Sequence, residues 1–123
     1  MRGVFQEQLG RLEKAIARDG GYTLGDVLVE IQAQRAKLWE APGAVIVTQV
    51  HDFPRQRVLH FWLAAGELDA LFELEKTVLE WGKGVGCTRA TIAGRRGWAR
   101  VLASRGWEAE QTLMGRTLTD GEE

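Results

Sequence analysis

The sequence predicts an α+β domain of helices and strands with the element order ααβββαβαβ. Apolar residues recur at intervals of three and four in 5–16 and again in 67–81, as amphipathic helices require. Between these stretches, 37–63 is rich in β-branched and aromatic residues and is broken by Pro42 and Pro54, which is typical of strands joined by turns. Helical and strand patterns therefore follow one another along the chain.

Length and composition restrict the class of protein. The 123 residues, 45% hydrophobic and 27% charged, suffice for one domain with its own core. We expect 1–118 to form that domain and 119–123 to form a polar C-terminal tail. A net charge of -1 supplies no general attraction to nucleic acid or to an anionic membrane, so we expect neither as a partner. The single cysteine, Cys87, excludes an internal disulfide, and the lack of a secretion signal predicts a cytoplasmic protein.

Two helices are expected first. The apolar side of the first helix consists of Phe5, Leu9, Leu12 and Ile16. Gly20 and Gly21 end this helix. Thr23 begins the second helix with Asp26 three residues later, a capping-box spacing in which each side chain bonds the other residue's backbone N–H.

A three-stranded antiparallel meander is expected next. The segments 37–40 and 44–50 flank the turn 41–43, which contains a Pro-Gly dipeptide. A looser loop, 51–55, leads into the third strand, 56–63, which is rich in Val, Leu, Phe and Trp.

The C-terminal half is predicted to alternate helix and strand. The longest helix is 67–81, and the strand 87–92 follows it after a glycine-rich stop. A basic helix over 95–104 and a last strand over 107–118 complete the order.

The element order from Thr23 to Leu118 resembles that of the GCN5-related N-acetyltransferase (GNAT) superfamily, with Gly66 at a strand-to-helix turn and Gly106-Trp107 after the last helix. The resemblance implies a mixed central β-sheet flanked by helices, in which the strands 56–63 and 87–92 are adjacent and parallel and are joined through the long helix. It also implies acetyl-CoA as a cofactor, with its pantetheine arm between those two strands.

The same resemblance implies a cofactor site at the start of the long helix. The pyrophosphate would bind the backbone amides of Ala65, Gly66, Glu67 and Leu68, because the first N–H groups of a helix favour an anion. Replacing Gly66 by Val is then expected to abolish cofactor binding while the fold survives. The family motif, Arg or Gln, two residues, Gly, one residue, then Gly or Ala, is degenerate here, because Leu63 and Leu68 fill its outer positions. Leu102 stands where the family often has a Tyr acting as general acid.

Three further side chains are candidates for a site. His60 is the candidate general base, because imidazole titrates near neutral pH; the alternative is a hydrogen-bonded or exposed strand histidine. Arg95 and Arg96 lie at a strand-to-helix junction, where they would bind an anion of the cofactor or a partner, or else form a solvated helix start. The two histidines and one cysteine have no metal-ligand spacing, so no metal is expected.

Besides a nucleic-acid-binding module on the face of Arg95, Arg96, Arg100 and Arg105, which the near-neutral net charge disfavours, two functions remain open at this point. One is an acyl-CoA-dependent N-acyltransferase acting on a small-molecule or protein amine. The other is a catalytically inactive GNAT-fold interaction or phage assembly protein. The segment 94–98, Gly-Arg-Arg-Gly-Trp, followed by Gly106-Trp107, is similar to compact GNAT-like proteins encoded in phage and prophage genomes. This similarity implies a phage-encoded or virion-associated protein. A second copy of the chain, in a homodimer, is one candidate partner.

Overall fold

In the computed structural model of the chain, the residues described are 2–19, 21–93, 96–110 and 114–118. They divide into two units, 1–93 and 94–123, which we treat separately. In the described part of the chain, no helix is long and apolar enough to cross a membrane. That 1–118 acts as one domain stays a prediction.

The first unit contains a four-stranded mixed sheet. Its strands, in spatial and chain order, are β1 (Lys37–Ala41), β2 (Ala44–Phe53), β3 (Gln56–Gly66) and β4 (Arg89–Ile92). β1, β2 and β3 are antiparallel to one another, whereas β4 runs parallel to β3. The predicted fold class and the predicted parallel neighbours are both confirmed.

Helices α1 (Arg2–Asp19) and α2 (Leu24–Gln32) cover one face of this sheet. Thr23 and Asp26 form the predicted capping box, with Asp26 N–H donating to Thr23 Oγ1 (3.2 Å) and Thr23 N–H donating to Asp26 Oδ2 (2.8 Å). The core between helices and sheet consists of Leu12, Ile16, Val27, Ala36, Val45, Val47 and Leu63. Burial of these side chains is the main stabilising contribution on this face.

Helix α3 (Leu68–Gly84) covers the opposite face. Val47 faces α1 and α2, so alternation along β2 turns Val50 to the other side, together with its cross-strand partner Leu59. A Cβ added to Gly82 of α3 would lie only 2.7 Å from the Leu59 side chain. α3 therefore lies close against the sheet at Gly82, where a larger residue would require the Leu59 side chain to shift.

β3 contains a β-bulge. Val47 pairs with Leu63, but the next residue, Thr48, pairs with Phe61, so Trp62 is the extra residue. The Trp62 ring packs against Tyr22, with ring centroids 5.0 Å apart. The bulge thus directs a large aromatic side chain toward the α2 side of the sheet.

The junction between β3 and α3 is one residue long. β3 continues to Gly66, three residues beyond its predicted end, and Glu67 is the N-cap of α3. Glu67 N–H donates to the carbonyl of Gly43 in the β1–β2 turn (2.8 Å). A Cβ on Gly66 would overlap the Gly43 carbonyl oxygen and lie 2.6 Å from Ala44 Cα. Gly66 also has a φ of +135°, so a side chain there is both strained and obstructed.

This geometry corrects one expectation from the sequence. We expected Gly66→Val to remove cofactor binding without affecting the fold. Instead, the missing side chain at Gly66 is what allows the end of β3 to touch the β1–β2 turn. Substitution there would test folding rather than binding.

The second unit contains α4 (Arg96–Ala103), which confirms the predicted basic helix. After the helix, Arg105 N–H and Trp107 N–H both donate to the Leu102 carbonyl, and Gly106 adopts a φ of +89°. The predicted last strand was wrong for the residues described, because 107–110 and 114–118 belong to no strand. Glutamates alternate with one alanine over 108–110, so this part of the segment has no apolar face to bury.

We expect Gly66→Ala to lower the free energy of unfolding by about 3 kcal/mol or more, because a Cβ meets backbone at a positive φ. The matched control is Gly84→Ala at the end of α3, where an added Cβ meets no described atom within 4 Å. We expect that control to stay within about 1 kcal/mol of the parent. Urea unfolding of the three proteins measures the difference, and equal stability of both variants would show that the Gly66 contact is dispensable.

Candidate functional site

The four residues of the predicted pyrophosphate site do not form an open loop. Ala65 and Gly66 lie in β3, in register with Val45 and Ala44 of β2. The Glu67 amide is already bonded to the Gly43 carbonyl. Of the four, only Leu68 belongs to α3, and its side chain is 45% exposed.

Carboxylates surround the start of α3. Glu67 is the N-cap but makes no side-chain cap hydrogen bond, and Asp69 lies in the first turn. Negative charges stabilise the positive end of a helix dipole. They also repel a phosphate approaching the same helix end, so the local charge opposes the anion that the resemblance implies.

The predicted anion ligands in the second unit remain untested. Arg95 lies outside the described residues, and so does the side chain of Arg96, although Arg96 begins α4. Their role stays a prediction.

His60 lies in the middle of the sheet. It is in register with Gln49 of β2 and with Thr91 of β4. His60 Nδ1 and Thr91 Oγ1 form a hydrogen bond of 2.8 Å, which fixes the orientation of the ring. Because Nδ1 is engaged, proton exchange with a ligand would take place at Nε2.

A second imidazole stacks on this one. The rings of His51 and His60 have centroids 5.4 Å apart and are inclined by 22°. His51 Nε2 is also bonded to Gln49 Oε1 (3.2 Å). Burial lowers the pKa of His60, and a charge on His51 lowers the pKa further. His60 is therefore neutral at neutral pH, which is the form a general base requires.

A pocket of about 350 Å³ lies beside this polar cluster, between α2 and strands β2 and β3. We call it the α2 pocket, and it is lined by Tyr22, Asp26, Val29, Glu30, Gln49 and Trp62. Gln49 belongs to both features, because it lines the pocket and bonds His51. The sequence did not predict this pocket, because Trp62 reaches its wall through the β-bulge, and the sequence pattern gave no sign of that bulge.

Two carboxylates of α2 line the pocket one helical turn apart. Asp26 Oδ2 accepts the Thr23 N–H of the capping box. Glu30 accepts hydrogen bonds from Arg35, through Nε to Oε1 (3.0 Å) and Nη2 to Oε2 (2.6 Å). These hydrogen bonds lower the pKa of Glu30 and raise the pKa of Arg35. The Glu30 carboxylate is therefore ionised at neutral pH.

Metal ligands are not clustered in the part of the chain that the structure describes. Within those residues, no group of three or more His, Cys, Asp or Glu side chains lies close enough to hold a metal ion.

Solved structures share this arrangement of helices and strands. A transcriptional regulator from Bacillus halodurans C-125 superimposes with a TM-score of 0.73, covering 96% of this chain and 95% of that one at 10% identity. A probable acetyltransferase gives a TM-score of 0.65, with 91% and 89% coverage at 11% identity. Glucosamine-6-phosphate N-acetyltransferase from Arabidopsis thaliana gives a TM-score of 0.61, with 78% and 77% coverage at 11% identity. The chain has the GNAT fold.

Similarity to these structures shows the GNAT fold and nothing finer, because the identities are so low. No protein-family model matches the sequence, and no curated protein matches it significantly. The resemblance to the GNAT superfamily implies that the pantetheine arm would lie between the parallel strands β3 and β4. β4 pairs with β3 only over 58–61, whereas β3 runs on to Gly66, beyond the end of its parallel partner.

We expect the stability of the protein to fall as pH is lowered from about pH 8 to about pH 5, partly because of His60. The pKa of His60 is lower in the folded state than in the unfolded state. At a pH between these two pKa values, the unfolded chain therefore binds more protons than the folded chain does. The stability that His60 contributes is therefore fully present above the ordinary pKa of histidine. It is lost as the pH falls from that value toward the lower pKa that His60 has in the folded state. Urea unfolding at several pH values measures the slope.

His60→Gln serves as the comparison, since the amide retains a hydrogen-bonding group beside Thr91 but does not titrate. The difference in slope between parent and variant isolates His60 from the carboxylates. Parallel pH profiles for the two proteins would show that the folded state leaves this histidine unperturbed. His51→Gln should reduce the slope only partly, because burial is the larger cause of the lowered pKa.

Proposed function

We propose that this chain is a catalytically inactive GNAT-fold interaction protein. The observation that carries the proposal is the contact of Gly66 and Glu67 with Gly43. A pyrophosphate on a helix N-terminus needs unoccupied N–H groups and space for close approach. Here the β1–β2 turn takes the N-cap amide and occupies the space beside Gly66.

The electrostatics of the helix start support the same proposal. Glu67 and Asp69 put two carboxylates where the phosphates would lie. Leu63, at the Arg or Gln position of the family motif, has neither positive charge nor hydrogen-bond donor to offset them. Leu102, at the position of the family's Tyr, has no proton to give to a thiolate leaving group.

The partner in this proposal is another protein. The similarity to compact proteins of phage and prophage genomes favours particle assembly as the setting, in which binding rather than turnover is the activity. The resemblance of the fold to N-acetyltransferases is then a resemblance of scaffold, since one fold hosts many functions.

The second candidate is acyl-CoA-dependent N-acyl transfer, and the environment of His60 favours it. A neutral, oriented imidazole lies beside the α2 pocket, which is large enough for a small amine. In this candidate, His60 removes the proton from the ammonium group, and the amine attacks the thioester carbonyl while the CoA thiolate leaves.

Calorimetric titration with acetyl-CoA separates the two candidates. We expect no saturable heat up to about 1 mM ligand, because the Glu67 amide is bonded to the Gly43 carbonyl and two carboxylates lie at the start of α3. The double variant Glu67→Gln/Asp69→Asn removes both carboxylates and leaves the backbone contact intact, so we expect it not to bind either. Micromolar binding of acetyl-CoA by the parent would contradict the proposal. If only the double variant binds, the two carboxylates, and not the β1–β2 turn, prevent the parent from binding acetyl-CoA.

Release of free thiol from acetyl-CoA in the presence of an amine panel gives the second measurement. We expect parent and His60→Gln to release thiol at the same background rate. If the parent turns over and the variant is slower by about 10²- to 10⁴-fold, His60 acts as a base and the acyl-transfer candidate replaces ours.

A further inference from the structure

We infer that the α2 pocket binds an arginine side chain presented by a partner protein. The inference rests on the proposed interaction function and names the chemistry of the partner. It depends on the shape of the pocket, on its aromatic wall and on its charge.

The aromatic wall is formed by Tyr22 and Trp62. Their rings are inclined by 56° with centroids 5.0 Å apart, and both residues are partly buried, so part of each ring remains accessible. Val29, whose side chain is 55% exposed, adds apolar surface at the same pocket. Aromatic faces attract cations, and the flat guanidinium group stacks on them better than a compact ammonium group does.

The charged side chains that line the pocket are acidic, and Arg35, which is bonded to Glu30, is not a lining residue. Asp26 and Glu30 are its ionisable lining residues apart from the phenol of Tyr22, and none of the six lining side chains that the structure describes is basic. A carboxylate pair beside aromatic rings complements a guanidinium group, which donates in a fork that matches a carboxylate.

Glu30 already binds a guanidinium group within this chain. Arg35 donates to both of its carboxylate oxygens, so the carboxylate is accessible to a group of this shape. The Arg35 side chain is 60% exposed, and exposed ion pairs contribute little to stability. An incoming arginine therefore displaces or shares this contact at small cost.

The volume also fits the inference. A volume of about 350 Å³ lies within the range of small-ligand pockets, so an arginine side chain can enter it. A segment of polypeptide with one inserted arginine therefore suits the pocket better than an isolated ion.

The test uses the full chain and N-acetyl-arginine amide as the probe, with N-acetyl-citrulline amide and N-acetyl-lysine amide as matched ligands. Citrulline keeps the shape of arginine and lacks its charge. Chemical shifts of the tryptophan indole N–H signals report binding, and Trp62→Phe identifies its signal. We expect saturable, millimolar binding of the arginine probe that moves the Trp62 signal, with weaker binding of the lysine probe and weaker still of the citrulline probe.

Variants locate the site. Glu30→Gln should weaken arginine binding about three- to ten-fold, because one charge-assisted contact is lost. Glu73→Gln, an exposed carboxylate on α3 at the opposite face, should leave affinity unchanged. Absence of saturable binding, equal affinity for the citrulline or lysine probe, or equal loss in both variants would overturn the inference. The arginine titrations do not depend on whether acetyl-CoA binds. A failure of this inference can therefore be distinguished from a failure of the proposed function, which the acetyl-CoA titration tests.

Discussion

The rest of the first unit depends on the contact between the end of β3 and the β1–β2 turn. Gly66 comes so close to Gly43 and Ala44 that no side chain fits between them. The turn is also held from α1, because the buried Gln8 donates from Nε2 to the Ala41 carbonyl (2.8 Å). One short turn thus joins the first helix, the central strands and the start of α3. Its position determines what the N-terminus of α3 is able to bind.

The second determinant is the bulge at Trp62. Without an extra residue, strict alternation would continue through β3, and Trp62 would have a cross-strand partner on β2. The bulge turns the indole toward Tyr22, on the face that also carries the cluster of Gln49, His51, His60 and Thr91. A packing irregularity therefore places a pocket next to a polar cluster.

The fold was more predictable than the site. Apolar spacing and the Thr23–Asp26 capping pattern are local signals, so the helices and the meander followed from the sequence. The contact of Gly66 with Gly43 joins residues far apart in the chain, and no periodicity reports such a distance. The family motif therefore suggested a phosphate loop where the chain has a single-residue junction. The prediction of a last strand was wrong for the described residues of 107–118 for a related reason, because it relied on element order where the apolar pattern is weak.

The parallel pairing of β3 with β4 has a consequence for how the chain folds. The turn at 41–44 closes a hairpin locally, whereas the hydrogen bond between His60 and Thr91 spans 31 positions and requires α3 to cross over first. Closing a longer loop costs more chain entropy, and non-local pairing slows folding. We therefore expect the meander to assemble early and β4 to dock late. His60 would acquire its orienting partner only in that late step, so the polar cluster is complete only once folding is nearly finished.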